Sequence, residues 1–163
     1  MGASVIVTAG SAAKCDYCRS LGADVAINYR ETDFFDTVLA ATGGQGANVV
    51  LDMVGGSYVD RNLRVMAIDG RCAIISLQDG RQISADFEPL LRRRLTLVGS
   101  TLRPLPKSEK SRIASNVASA VLPLVAQGII RPHVNQTFTL DRASDAHVWM
   151  ESNVNMGKIV LIP

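Results

Sequence analysis

Ser4-Val5-Ile6-Val7-Thr8-Ala9-Gly10-Ser11-Ala12-Ala13-Lys14 is the stretch on which the fold turns. Val5-Ile6-Val7 is apolar and β-branched without alternation, the pattern of a strand buried on both faces. Ser11 offers an N-cap oxygen, and residues 12–21 have helical composition that ends at Gly22. A strand that runs straight into a helix is the building unit of a parallel α/β sheet.

The same alternation continues outward. Val25-Ala26-Ile27-Asn28 predicts a second strand, and Thr32 or Asp33 caps a helix carrying Phe34, Phe35, Val38 and Leu39 that Gly43-Gly44 terminates. Ala47-Asn48-Val49-Val50-Leu51-Asp52 predicts a third strand, followed by Gly55-Gly56. Ser57 is placed to cap a helix with Val59, Leu63 and Met66 on one face, ended by Gly70. Arg71-Cys72-Ala73-Ile74-Ile75 and Leu95-Thr96-Leu97-Val98-Gly99 predict strands four and five, with a short helix or turn at 90–94. The longest helix is expected at 108–127, with Ile113, Val117 and Val121 in register and a kink or new turn at Pro123. Phe138-Thr139-Leu140, a helix capped by Asp141 with Ala143, Ala146, His147 and Met150 on one face, and the strand 158–162 complete the pattern. The predicted class is α/β, a Rossmann-like, mostly parallel sheet with helices on both faces. Such sheets bind ligands beyond the carboxyl ends of their strands. The loops after Thr8, Asn28, Leu51, Ile75 and Gly99 are therefore where chemistry is expected.

Composition agrees with a folded core. The chain has 163 residues, 47% hydrophobic and 20% charged, with a net charge of +2. A near-neutral balance with both signs interspersed gives no reason to expect nucleic acid or an acidic membrane surface. No apolar run approaches the ~20 residues of a membrane helix, and no signal peptide is visible. Three cysteines do not make a secreted disulfide framework. The expected location is cytoplasmic.

The first loop is the most informative. A sheet that recognises NAD usually ends its second strand in an acid that bonds the ribose hydroxyls. Here the strand ends in Thr8-Ala9-Gly10-Ser11 with no acid, and Lys14 follows one helical turn later. A hydroxyl, helix-start N–H groups and a cation suit a phosphate monoester such as the 2′-phosphate of NADPH. The alternative is an N-cap serine followed by a solvated lysine. Tyr29-Arg30 adds a phenol and a second cation after the next strand. The Gly-x-Gly-x-x-Gly loop that holds pyrophosphate is absent; neither Gly43-Gly44-Gln45-Gly46 nor Gly55-Gly56 has its spacing. Cys15 and Cys18 share a helix face, which fits packing better than redox work. With Cys72, His133 and His147 scattered, no metal site is expected. His147 reads as structural, and Arg92-Arg93-Arg94 as a solvated turn.

Taken together, several short motifs resemble one family. These are Ala9-Gly10-Ser11 with Lys14, Leu21-Gly22-Ala23, Ile27-Asn28-Tyr29-Arg30, Asp52-Met53-Val54-Gly55-Gly56, Gly99-Ser100-Thr101-Leu102-Arg103, Ala146-His147 and Met156-Gly157-Lys158-Ile159-Val160. In this order they resemble the latter half of zinc-independent medium-chain dehydrogenases/reductases, the quinone oxidoreductases related to zeta-crystallin, and in particular the tumour-suppressor-inducible branch. The resemblance covers essentially the whole chain. It implies NADPH-dependent reduction of quinones or enone-like carbonyls by hydride transfer.

By that resemblance, Gly10, Ser11, Lys14 and Tyr29 would surround the 2′-phosphate, and Val54 and Gly55 would line the cofactor. Ser76, Leu77, Thr101, Leu102 and Arg103 would face the nicotinamide, with Asn153 returning to the cofactor. No catalytic residue and no metal ligand is carried over. Residues 1–135 would form a partial NADP-binding Rossmann domain lacking its first strand and Gly-rich loop. Residues 136–163 would be a helix and strand returning toward the substrate domain. The resemblance also implies a homodimer through 95–99 and a small quinone or carbonyl substrate. Half a site is expected to turn over poorly alone. A non-catalytic nucleotide-binding or regulatory α/β module is the rival reading, and a thiol oxidoreductase using Cys15 and Cys18 a third.

Overall fold

Strand β1 (Ile6–Ala9) enters helix α1 (Ala12–Ser20) through the Gly10-Ser11 turn. Ser11 caps it, its Oγ accepting the Lys14 N–H at 3.3 Å. β2 (Val25–Asn28) lies parallel to β1, with Ile6 opposite Val25 and Ala9 opposite Asn28. Asp33, not Thr32, caps α2 (Phe34–Ala41) by accepting the Phe35 N–H at 2.9 Å. β3 (Ala47–Asp52), α3 (Tyr58–Val65), β4 (Met66–Ile74), α4 (Glu88–Arg92) and β5 (Thr96–Gly99) follow. Every strand pairing is parallel, and the fold is the Rossmann-like α/β arrangement that the sequence predicts. This computed structural model describes residues 2–163. They form two compact units, one reaching Arg103 and the other spanning Pro104–Pro163.

The ladder of the first unit is divided. β1 pairs only with β2, while β3, β4 and β5 form a separate sheet in that order. A Rossmann sheet has the strand order 3-2-1-4-5-6. β2-β1 and β3-β4-β5 reproduce its two flanks, and among the described residues no strand stands between β1 and β3. Side-chain packing ties the flanks together where backbone hydrogen bonds do not. Ile27, Phe34, Val38 and Val65 form a buried cluster joined by Ile6, Val25, Ala47 and Tyr58, drawn from both flanks. A second cluster, Val59, Leu63, Met66, Cys72 and Leu95, fills the space against β3–β5. Val49 and Leu51, two residues apart on one face of β3, are 70% and 63% exposed.

Three expectations change. The helix that starts at Tyr58 ends at Val65, not at Gly70, because Met66 turns extended and the chain enters β4 at once. Arg93 satisfies the carbonyls left open at this stop. Its guanidinium donates to the carbonyls of Arg64 and Met66, each at 2.7 Å, at the end of the helix where carbonyls lack intrahelical donors. Arg92-Arg93-Arg94 is therefore more than a solvated turn: Arg92 pairs with Glu88 at 2.7 Å, and Arg94 grips Asp69 with two bonds of 2.8 and 2.7 Å. Ser57 makes no cap bond to α3: its backbone is already helical (φ −67°, ψ −15°) and not extended as a capping residue requires, and its hydroxyl donates to Asp79 instead.

In the second unit, the expected long helix divides into α5 (Lys107–Ala120) and α6 (Leu122–Ala126), the break falling just before Pro123. β6 (Val134–Thr139) and β7 (Lys158–Ile162) pair in parallel. Asp141 does not cap α7 (Ala143–Glu151). It lies inside a 3-10 turn, Leu140–Arg142, which leaves Arg142 at the cap position with no side-chain bond to the helix N–H groups. Ala146 is the buried residue of α7, whereas Met150 is half exposed. Among the described residues no helix is long and apolar enough to cross a membrane.

Candidate cofactor site

At the end of β1 the turn is shaped by what glycine lacks. A Cβ on Gly10 would come within 2.8 Å of the Tyr29 hydroxyl oxygen and 3.5 Å of Arg30 Nε. The phenol and the guanidinium thus lean over the Gly10-Ser11 turn from the end of β2. Parallel pairing sets this up, with the Tyr29 N–H donating to Ala9 O at 3.1 Å and the Arg30 N–H to Asn28 Oδ1 at 3.2 Å. Tyr29 and Arg30 meet Gly10 here, and Ser11 and the Lys14 backbone N–H are joined by the cap bond at the same turn. Ser11 serves as an N-cap and still has its hydroxyl proton to donate, so the two readings of that serine are compatible. The residue ending β1 is Ala9, not an acid.

The end of β3 is built around Asp52, which is 3% exposed. Its Oδ1 accepts the N–H groups of Val54 at 2.7 Å and Gly55 at 3.0 Å, and its Oδ2 accepts from Asn62 Nδ2 at 3.0 Å. Gly55 adopts φ 66°, and a Cβ there would meet Leu77 Cδ2 at 2.6 Å. The loops after β3 and β4 are stitched together. Met53 O accepts the Gln78 N–H at 3.4 Å, and Val54 O the Asp79 N–H at 2.8 Å. In return Asp79 Oδ2 accepts the Ser57 hydroxyl at 2.8 Å and the Ser57 N–H at 3.1 Å. Those two bonds, the hydroxyl first, hold the Asp79 carboxyl below the usual range.

A cleft of about 670 Å³ opens at the ends of β4 and β5, lined in part by Ser76, Leu77, Arg81, Gly99 and Thr101. Leu102 follows, 58% exposed, and Arg103 ends the first unit. Asn153 belongs to the second unit, between α7 and β7, with a left-handed φ of 57°. Tyr58, at the start of α3, shows that the loops share one region. Burial raises its pKa, Arg61 opposes that, and Tyr29, Asp79 and Asp33 all lie within electrostatic reach. Arg61 stacks over the Tyr58 ring at 4.5 Å and the Phe34 ring at 5.3 Å. Sequence reasoning missed Asp52, Asn62, Tyr58, Arg61 and Asp79 as parts of this region. An acid closing an apolar strand was a visible signal for Asp52; Asn62 and Asp79 had none.

The cysteines stand apart from this chemistry. All three are free; Cys15 and Cys72 are buried, and burial pushes the Cys72 thiol up to about 11, with the charge of Asp52 adding to it. Among the described residues no group of three or more His, Cys, Asp or Glu is placed to hold a metal ion.

Comparison with known proteins places the chain in a family and agrees with the fold. Residues 1–119 match the family described as zinc-binding dehydrogenase. This chain belongs to that family. Its relatives lie in the quinone oxidoreductase-like branch of the medium-chain dehydrogenases/reductases, as the motifs imply. It is 30% identical over 159 residues to rat (Rattus norvegicus) quinone oxidoreductase-like protein 2, covering 98% of this chain and 45% of that protein. It is also 30% identical over 169 residues to 2-haloacrylate reductase from a Burkholderia species, covering 100% of this chain and 49% of the reductase. The crystal structure of Escherichia coli quinone oxidoreductase complexed with NADPH superposes with a TM-score of 0.85 at 28% identity, covering 99% of this chain and 50% of that one. An NAD-dependent alcohol dehydrogenase superposes with a TM-score of 0.82 at 34% identity, covering 99% and 44%. The zinc-binding dehydrogenase chain described here therefore spans about half the length of the relatives it matches.

Proposed function

We propose that this chain is the cofactor-binding half of an NADPH-dependent oxidoreductase that reduces quinones or related enone and carbonyl compounds by hydride transfer. The observation that carries this reading is the end of β1. Ser11, Lys14, Tyr29 and Arg30 are all hydrogen-bond donors, and the missing Cβ of Gly10 is what lets the Tyr29 phenol and Arg30 guanidinium close over the Gly10-Ser11 turn from which α1 and Lys14 start. NADH presents ribose hydroxyls that call for an acceptor carboxylate there, whereas NADPH presents a phosphate that calls for donors. The family relationship leaves this choice open, because its members include a structure named with NADPH and one named NAD-dependent. The donors at the end of β1 favour NADPH.

NADPH would supply the hydride, and the protein's part is position and electrostatics. Ser11, Lys14, Tyr29 and Arg30 would hold the 2′-phosphate, and the Val54-Gly55 turn would pass beneath the cofactor. Ser76, Leu77, Thr101, Leu102 and Arg103 would flank the nicotinamide at the cleft, where Leu77 helps to exclude water. The reading includes a cytoplasmic location and a homodimer through the free edge of β5.

Titration with NADPH and NADH in parallel, followed by nicotinamide fluorescence, tests it. NADPH is expected to bind more tightly. Lys14→Ala should erode that preference by one charge-assisted hydrogen bond, about 1.5–3 kcal/mol. Equal binding of both nucleotides by the unaltered chain would sink the proposal.

A further inference from the structure

We infer that Asp52 is a positioning residue. Its buried carboxylate, braced by Asn62, sets the Val54-Gly55 turn and through it the loop that carries Leu77, and it withholds the N–H groups of that turn from the cofactor's phosphates. The inference rests on the cofactor reading above.

Gly55 and Gly56 lack the spacing of a pyrophosphate loop, yet they stand between β3 and α3, and N–H groups at a helix start commonly cradle phosphate. The structure closes that option from both sides. The Val54 and Gly55 N–H groups are taken by Asp52, and the Ser57 N–H by Asp79. A phosphate arriving here would find its donors engaged and two carboxylates in its path.

Stability alone does not account for this arrangement. Asp52 and Asn62 are the buried polar side chains of the described chain, 3% and 5% exposed, and they are bonded to each other. Burying a carboxylate is costly, and well-packed apolar residues usually serve stability as well or better. What the carboxylate adds is geometry. It fixes two successive N–H groups of a turn whose carbonyl side is already tied to the next loop. Met53 O and Val54 O receive the N–H groups of Gln78 and Asp79. Leu77 presses on Gly55 from that loop and also lines the cleft. A displaced turn therefore displaces Leu77.

The test uses amide hydrogen exchange by NMR at Val54, Gly55, Gln78 and Asp79, with titrations of NADPH and of inorganic pyrophosphate. Asp52→Asn keeps an acceptor for both N–H groups, and Asn62 can rotate its amide to accept from the new one. Asp52→Ala leaves all three donors without an acceptor. Exchange should rise about tenfold at all four amides in Asp52→Ala and NADPH binding should weaken about fivefold, both returning to near the original values in Asp52→Asn. Asn62→Ala should give the same pattern at smaller amplitude, and it carries the test if Asp52→Ala does not fold. Pyrophosphate should shift no amide signal at Val54, Gly55 or Ser57.

Unchanged exchange at Gln78 and Asp79 in both alanine variants overturns the inference. So does an Asp52→Asn as damaged as Asp52→Ala, or a pyrophosphate shift at the turn. Failure of the unaltered chain to bind NADPH overturns the cofactor reading instead, and exchange at Gln78 and Asp79 still decides for or against the clamp.

Discussion

Gly10→Ala isolates the cofactor reading in a single methyl group. Gly10 is not among the left-handed residues, so alanine fits the backbone there and the fold should tolerate it. The added Cβ would lie 2.8 Å from the Tyr29 hydroxyl oxygen and 3.2 Å from Cζ, where ordinary contact begins at 3.4 Å. The phenol must therefore give way by about 0.6 Å, enough to stretch a good O–H···O bond to the edge of usefulness. If that hydroxyl donates to the 2′-phosphate, its complete loss is worth about 1.5–3 kcal/mol, roughly 10- to 150-fold in affinity. Tyr29→Phe sets that ceiling, and Gly10→Ala should lose about tenfold, below it. NADH has no 2′-phosphate and serves as the internal control; its affinity should stay within about twofold. The assay is fluorescence titration of both nucleotides against the two single variants and the double variant. The double variant should be little worse than Tyr29→Phe alone, because the methyl group acts through the hydroxyl. Equal losses for NADPH and NADH, or strictly additive losses in the double variant, would refute the reasoning.

Leu63 is 0% exposed at the centre of the second cluster, so Leu63→Ala should lower stability by about 2–5 kcal/mol, seen as a shifted urea midpoint. Cys72 should resist a maleimide reagent in the native protein near neutral pH and react on unfolding, while the half-buried Cys18 reacts first; prompt native labelling of Cys72 would contradict its burial. Its folded pKa is raised, so its contribution to stability is full below the unfolded value of about 8.5. That contribution is lost as pH rises toward about 11, which urea melts across this range in wild type and Cys72→Val will show. For assembly, β5 pairs with β4 alone among the described residues, so its outer edge is available for a second copy. Leu97→Pro removes an N–H from that edge and should convert a dimer to monomer in sedimentation; a monomeric parent chain would refute the dimer.

The short-range features were written in the sequence. Runs such as 25–28, 47–52 and 158–162 became strands over the residues predicted, because apolar β-branched composition and the bounding glycines act locally. Ser11 and Asp33 cap their helices through bonds to residues two or three positions away, which is why those starts were legible. The place of the donors proposed to hold phosphate was partly legible for the same reason, since Ser11 and Lys14 share one helical turn. Tertiary structure decided the rest. Tyr29 reaches Gly10 only because β1 and β2 pair in a particular register. The helix from Tyr58 stops at Val65, and Arg93, 29 residues beyond Arg64, supplies a donor to the Arg64 carbonyl at that end. Asp52 finds Asn62 ten residues on, and Ser57 finds Asp79 across 22. Composition and periodicity carry no term for such pairings. They arise when strands pair and helices pack, and each long-range hydrogen bond then overrides what the local sequence would do alone.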